Sequence, residues 1–328
     1  MSRIADQYRT LEESAGWIDQ SSRGRLRIGG QDGVAFLHAL VTNDLQRLTR
    51  GDGVYAAYLT PQGRIIADLV LYHRGDFLLA SVAPGVAGPL VARLDSVIFT
   101  EVVQVLDVSE ALAEIFVTGR TAAEAAARAL DISAGELETL PELAQRDAGN
   151  GFIARAGEAP LPAFTIVAPM EARAHLVARL GQTGAQPITR ELADALRIAA
   201  GRPAFGIDMT AGTLPLEAGL LERAISTTKG CYVGQEIVIR ILHRGGGRVA
   251  RRLVTLQWRS SGGDMAPAPG SPLLVDGRAI GQLTSRAPAL TGDGFIGLGY
   301  VARDLAIEGG SVTIGEGGPT AGITGFAR

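Results

Sequence analysis

The alternation of apolar and polar positions divides the chain into short elements. Ile4, Tyr8, Leu11 and Ala15 recur at helical spacing and predict an amphipathic N-terminal helix. Short strands at Trp17 and Ile18 and at 26–28 flank a Ser21-Ser22-Arg23-Gly24 turn. A glycine-rich break follows, with Asp32 placed to cap a helix over 34–40 whose Phe36, Leu37 and Leu40 share a face. That break lacks the spacing of a dinucleotide fingerprint and the Lys-Ser/Thr of a phosphate loop, so it reads as a plain strand-to-helix turn. Runs at 54–60, 64–72 and 77–82 read as strands joined by Pro61-Gln62-Gly63 and Arg74-Gly75-Asp76. A helix over 86–97 and a strand over 102–108 complete a β-β-β-α-β order, which predicts a mixed or antiparallel sheet with helices on one face.

The pattern repeats without a repeat of sequence. A strand at 112–118, an alanine-rich helix at 121–130, connecting sequence at 133–141, strands at 151–155 and 163–168 and a helix at 170–180 form a second α+β block. A helix over 190–200 stops at Gly201, with Pro203 beyond. From 202 to 228 the chain is irregular, and a segment of that length inside a compact protein is usually functional or disordered. After Val249 only short strands with glycine turns remain, at 253–258, 272–275, 279–285, 295–301, 311–314 and 321–326, with a loop at 260–270. This predicts a small C-terminal β-barrel. The expected fold class is therefore α+β, with an α+β region over 1–246 and a barrel domain over 247–328.

Composition narrows the function classes. The 328 residues are 46% hydrophobic, enough for more than one core. A net charge of −3 gives no broad electrostatic footprint for nucleic acid. One cysteine excludes an internal disulfide and a thiolate metal site built by this chain alone, and points to a reducing compartment, here the cytoplasm. No signal-like N-terminus and no apolar run of membrane-spanning length are expected.

That cysteine lies in Lys229-Gly230-Cys231-Tyr232-Val233-Gly234-Gln235-Glu236. The glycines predict a tight exposed turn, and a helix starting at Gln235 would set Cys231 just before its positive end. Lys229 and that helix end would favour the thiolate, the nucleophilic and metal-binding form. The competing reading is a small buried hydrophobe. Asp68, a carboxylate in an apolar strand, has two readings as well. Period-two alternation points it at solvent, the reading we favour; alternatively it faces a cleft and binds a ligand amine. Five arginines from 240 to 252 are either a solvated linker or an anion site.

The octapeptide resembles the signature of YgfZ-type folate-binding proteins, relatives of the glycine-cleavage T-protein (aminomethyltransferase) that act in iron–sulfur protein assembly and repair. All constant positions, Lys-Gly-Cys-aromatic-x-Gly-Gln-Glu, are present. Thr42-Asn43-Asp44-Leu45, Pro61-Gln62-Gly63-Arg64 with Asp68, Arg197 to Pro203, Pro215-x-Glu217-x-Gly219-Leu220, and Gly297-x-Gly299-Tyr300-Val301 extend the likeness over nearly the whole chain. The resemblance implies a T-protein-like fold of two ferredoxin-like lobes plus the barrel, and tetrahydrofolate or a derivative as cofactor. It implies iron–sulfur assembly proteins or client enzymes as partners. Cys231, Lys229 and Asp68 would carry the chemistry, and Cys231 would be a transient ligand to a cluster shared with a partner. Arg244, Tyr232, Gln235 and Glu217 would line the folate site, with Arg244 on the glutamate tail and Gln235 and Glu236 capping the cysteine turn. The T-protein has two adjacent acids where Ala67 and Asp68 stand, and an acid where Ala199 stands. A pterin ring without its carboxylate partner leaves donors unpaired. These losses favour an assembly factor over the alternative, a tetrahydrofolate-dependent aminomethyltransferase, and leave catalysis undecided.

Overall fold

The structure, a computed structural model, describes residues 3–157, 160–244, 246–259 and 266–328; the side chain of Arg244 lies outside the description. The expected domain boundary at 245–247 and the loop at 260–270 fall partly outside the described residues.

Helix α1 (Arg3–Glu13) buries Ile4, Tyr8 and Leu11 as its spacing requires. Strands β1 (Ala15–Asp19) and β2 (Gly24–Gly29) and helix α2 (Gly33–Leu40) follow. Asp32 does not cap α2 with its side chain; its carboxylate instead accepts the Val102 N–H at 2.7 Å. Strands β3 (Gly53–Leu59), β4 (Ile65–His73) and β5 (Phe77–Val82), helix α3 (Ala87–Asp95) and strand β6 (Gln104–Asp107) complete the first lobe. Its sheet is antiparallel, in the order β3-β4-β5-β2-β6. One face packs Leu26, Ala67, Leu69 and Leu71 under α2 and α3.

The second lobe holds β7 (Leu112–Gly119), α4 (Ala122–Leu130), α5 (Ala134–Glu138), β8 (Gln145–Ala148), β9 (Gly151–Arg155), β10 (Ala163–Pro169), α6 (Arg173–Gln182) and β11 (Gln186–Pro187). With β1 they give the sheet β11-β1-β7-β10-β9-β8, mixed because β11 runs parallel to β1. Helix α4, rich in alanine, buries its small side chains against Ile115, Phe164 and Leu180. The two sheets meet through Tyr72 and Leu79 of the first lobe and Phe152, Ala154 and Val167 of the second. Buried Ser81 and Glu114 cross that junction, Ser81 donating to the Glu114 carboxylate at 2.8 Å, and Arg23 Nε lies 3.2 Å from the same carboxylate.

Helix α7 (Arg190–Ala199) is capped by Thr189, whose hydroxyl accepts the Leu192 N–H. The stretch from 202 to 228 is turns apart from the single helical turn α8 (Leu221–Ala224), and then α9 (Gln235–Ile239) runs into a π-helical turn at Arg240–Arg244. The last six strands are β12 (Arg251–Trp258), β13 (Pro272–Val275), β14 (Arg278–Pro288), β15 (Phe295–Ala302), β16 (Ser311–Ile314) and β17 (Thr320–Phe326). They close into a barrel, β12-β15-β14-β13-β16-β17, around Val254, Leu256, Leu283 and Ile323. The α+β fold with its small C-terminal barrel is as the sequence predicts. Among the described residues no helix is long and apolar enough to cross a membrane.

Candidate functional site

The hairpin β3–β4 builds the first part of the site. Ala57 pairs with Asp68, so Tyr55, two residues back on the same face, is the diagonal neighbour of Asp68. The Tyr55 hydroxyl donates to Asp68 Oδ2 at 2.8 Å. Asp68 is thus half-buried and hydrogen-bonded, so the solvent-facing reading holds only in part. Alternation does place Asp68 opposite the first lobe's core, but that second face is covered too. Tyr55, Ala57 and Leu59 pack there against Met209, Leu220, Ala224 and Tyr232 from the irregular segment and the cysteine loop. Burial raises the Asp68 carboxyl above its ordinary value, against the Tyr55 hydrogen bond and the charges of Arg23 and Arg223. Burial and the neighbouring carboxylate push the Tyr55 hydroxyl well up. Arg223 lies over the Tyr55 ring, 4.8 Å from its centre.

Neither Arg23 nor Arg223 stands out in the sequence. Arg23 sits in what reads as a surface turn and Arg223 in a featureless segment, so only the docking of distant segments brings their charges to Asp68. Asn43 helps bring them together: its amide donates to the carbonyls of Tyr55 at 2.9 Å and Arg223 at 3.1 Å. The Thr42 hydroxyl donates to the Ala224 carbonyl at 2.5 Å.

The cysteine loop is the second part. Lys229 and Tyr232 are buried while Gly230 and Cys231 between them are exposed, so the thiol stands at the tip of a loop pinned on both sides. The buried-hydrophobe reading of Cys231 does not hold. The Lys229 ammonium donates to three backbone carbonyls, of His38, of Val41 at 2.7 Å and of Asn43 at 3.1 Å. Those bonds commit it to the end of α2 rather than to the thiol, as the sequence reading had it. Burial pulls the ammonium down to about 8. Burial and Lys229 also lower His38, whose Nδ1 accepts the Leu45 N–H at 3.2 Å.

Tyr232 fills the central cluster, its ring 5.1 Å from the Lys229 nitrogen and its hydroxyl pushed up to about 12 by burial. Gln235 does brace the turn: its side-chain oxygen accepts the Tyr232 N–H at 3.2 Å. Glu236 instead pairs with Arg240 at 2.7 Å in solvent. Helix α9 begins after Gly234 as expected and runs on into the π-helical turn at Arg240–Arg244.

Other expected site residues are placed elsewhere. Buried Glu217 accepts from Arg251 at 3.1 Å and joins the middle segment to the barrel. Arg251 is therefore spoken for, and it also lies over the Tyr300 ring, while Arg252 lies over Phe326. Arg240, Arg251 and Arg252 are thus spread between a helix end and β12, each against a partner of its own. Arg244, the favoured tail contact, has its side chain outside the described residues. Among the described residues no group of three His, Cys, Asp or Glu side chains is arranged to hold a metal ion.

Residues 1–229 match the GCVT N-terminal domain, and residues 251–323 the glycine cleavage T-protein C-terminal barrel domain. The chain belongs to the GCVT family. This GCVT-family chain is 30% identical to an aminomethyltransferase of Synechocystis over 331 residues, covering 98% of itself and 86% of that protein. A putative chloroplastic transferase of Arabidopsis thaliana is 30% identical over 305 residues, 91% of the chain and 68% of that protein. The crystal structure of the glycine cleavage system aminomethyltransferase T of Bartonella henselae superposes with a TM-score of 0.86 at 23% identity, covering 98% of the chain and 88% of that structure. The GCVT-family chain therefore has the aminomethyltransferase-like architecture, barrel included.

Proposed function

We propose that this chain is a cytoplasmic, folate-binding accessory factor of the YgfZ type, which acts through Cys231 in the assembly or repair of iron–sulfur proteins. The observation that carries the reading is the loop itself: the chain's one thiol is exposed between two buried anchors, Lys229 and Tyr232. A cluster is cargo here and not a resident cofactor. Ligation ordinarily takes about four protein thiolates or equivalents, so a partner or small thiol supplies the others.

The central face fits a pterin in kind. It offers one half-buried carboxyl, Asp68, whose Oδ2 is held by Tyr55, backed by the buried cluster of Tyr55, Leu59 and Tyr232, which a ring would have to part to enter. Asp68 and Tyr55 would hold the ring system, with Arg23 and Arg223 supplying positive charge beside it. Bound tetrahydrofolate would supply amines that accept one-carbon units. The aminomethyltransferase of Synechocystis aligns with 98% of this chain, which favours the aminomethyltransferase reading as the second choice. Ala67 and Ala199 stand against it.

The readings separate in two measurements. Cells lacking the protein and given Cys231→Ser are expected to lose iron–sulfur enzyme activity while the variant still binds tetrahydrofolate by calorimetry. Full complementation by that variant, together with one-carbon transfer to tetrahydrofolate from an aminomethyl donor in vitro, would replace the assembly reading with the transferase one.

A further inference from the structure

The first lobe's sheet ends at β6, which among the described residues pairs only with β2. The Val108 N–H donates to the Arg25 carbonyl at 2.8 Å. Antiparallel alternation then directs the backbone groups of Leu106 and Gln104 to β2 and those of Val105 and Asp107 outward. The Val105 side chain is buried, so the core fixes the strand while its outer edge stays open. Beside that edge Phe99, Val102 and Leu106 are 82%, 60% and 40% exposed. Single exposed apolar residues are ordinary, but three on one short segment along an open edge are not.

The charge of the segment is one-sided. Asp95, Glu101, Asp107 and Glu110 lie between 95 and 110, with no lysine or arginine. Glu101 accepts from the Phe99 and Thr100 N–H groups and Asp107 from Ser109, which holds these acids in place. One strand further in, Arg27 lies over the Phe77 ring at 4.6 Å. Sheet edges are commonly guarded by a very short strand, by charge, by proline or by a bulge; β6 is short at four residues and carries Asp107, but residues 103–107 contain no lysine or proline and the β2–β6 register runs without a bulge. A second copy pairing edge to edge would set acid against acid, which disfavours self-association.

We propose that β6 is the docking edge for an extended, lysine- or arginine-bearing segment of a partner protein. The segment adds to the sheet as a further strand, rests its apolar side chains on Phe99, Val102 and Leu106, and faces its cations to the acids. This surface is independent of the folate and thiol readings.

The test uses the full chain and a synthetic peptide alternating lysine and valine. Backbone amide exchange is followed by NMR, and binding by fluorescence anisotropy. The peptide is expected to slow exchange at the Val105 and Asp107 amides, and its affinity to fall as salt rises. The double variant Val102→Lys, Leu106→Lys changes only exposed side chains and is expected to bind about tenfold more weakly. A peptide N-methylated at alternate residues, which keeps the charge and loses the ladder, is expected not to bind. No protection at Val105 and Asp107, equal binding of a glutamate-for-lysine peptide, or unchanged affinity in the double variant would overturn the proposal. So would protection of the same amides in the free protein as its concentration rises, which would give the edge to a second copy.

Discussion

Asp68 shows what a single residue's pattern does and does not reveal. Period two correctly set it on the face opposite the first core, but whether that face meets water depends on what packs there. The covering segments come from more than a hundred residues away, so the strand alone carries no sign of them. Because burial raises the Asp68 carboxyl, the folded chain keeps this proton at a pH where the unfolded chain has lost it. Its contribution to stability is therefore greatest in acid and falls as pH rises from the ordinary carboxyl value through the raised one. Tyr55→Phe removes a donor that favours the charged form, so the Asp68 pKa is expected to rise further, read from the carboxyl carbon shift in an NMR titration. An unmoved value would mean that the hydroxyl does not hold the carboxylate.

Lys229 gives the opposite sign. Its ammonium is lowered from 10.5 to about 8, so between these values the unfolded chain binds more protons and stability rises with pH. Lys229→Ala strips a donor from three carbonyls and is expected to cost about 2–4 kcal/mol at neutral pH, with the deficit growing above pH 8. Denaturant melts across that range check both statements.

At the scale of elements, most strands and helices were legible because turns and periodicity coincide, as in the hairpin Pro61-Gln62-Gly63. The short elements α5, β8 and β11 were not. They have too few residues for a period, and tertiary pairing defines them, β8 against β9 and β11 against β1. The cysteine motif contains glycines whose need was visible, but not their partner. Gly234 has φ +83°, and a Cβ there would lie 2.5 Å from the Thr60 carbonyl oxygen and 3.2 Å from Gly63 Cα. The thiol loop is thus seated on the β3–β4 turn, the same hairpin that carries Tyr55 and Asp68. Gly234→Ala combines left-handed strain with that clash and is expected to cost about 2–4 kcal/mol. It is also expected to quicken exchange of the Tyr232 amide, which Gln235 otherwise holds. A variant as stable as the parent would show that the seat gives way without cost.

For the whole molecule, the barrel packs on α1 and α7 through Leu11, Leu196, Leu253 and Leu298, and the junction centres on a buried acid that the sequence hid within an irregular stretch. Asp208 accepts from Arg197 at 2.6 Å, from the Ala204 N–H at 3.0 Å, and from the Thr284 and Ser285 hydroxyls at 2.5 and 2.6 Å. Arg197 belongs to α7 and Thr284 and Ser285 to β14, so this side chain joins helix, segment and barrel. A buried pair of this kind adds little over an apolar substitute, but removing one partner leaves the other charged and unpaired. Asp208→Ala is therefore expected to destabilise by about 3–5 kcal/mol in urea melts. Arg197→Met with Asp208→Leu, which removes both charges, is expected to recover much of that loss. The position of the damage matters as much as its size. The segment from 202 to 228 that Asp208 anchors also supplies Met209, Leu220 and Arg223 to the Asp68 face. Loosening it is expected to weaken tetrahydrofolate binding although Asp208 itself lies in the barrel junction. Calorimetry on the folded fraction of Asp208→Ala measures this, and undiminished affinity would mean that the central face holds its shape without the barrel.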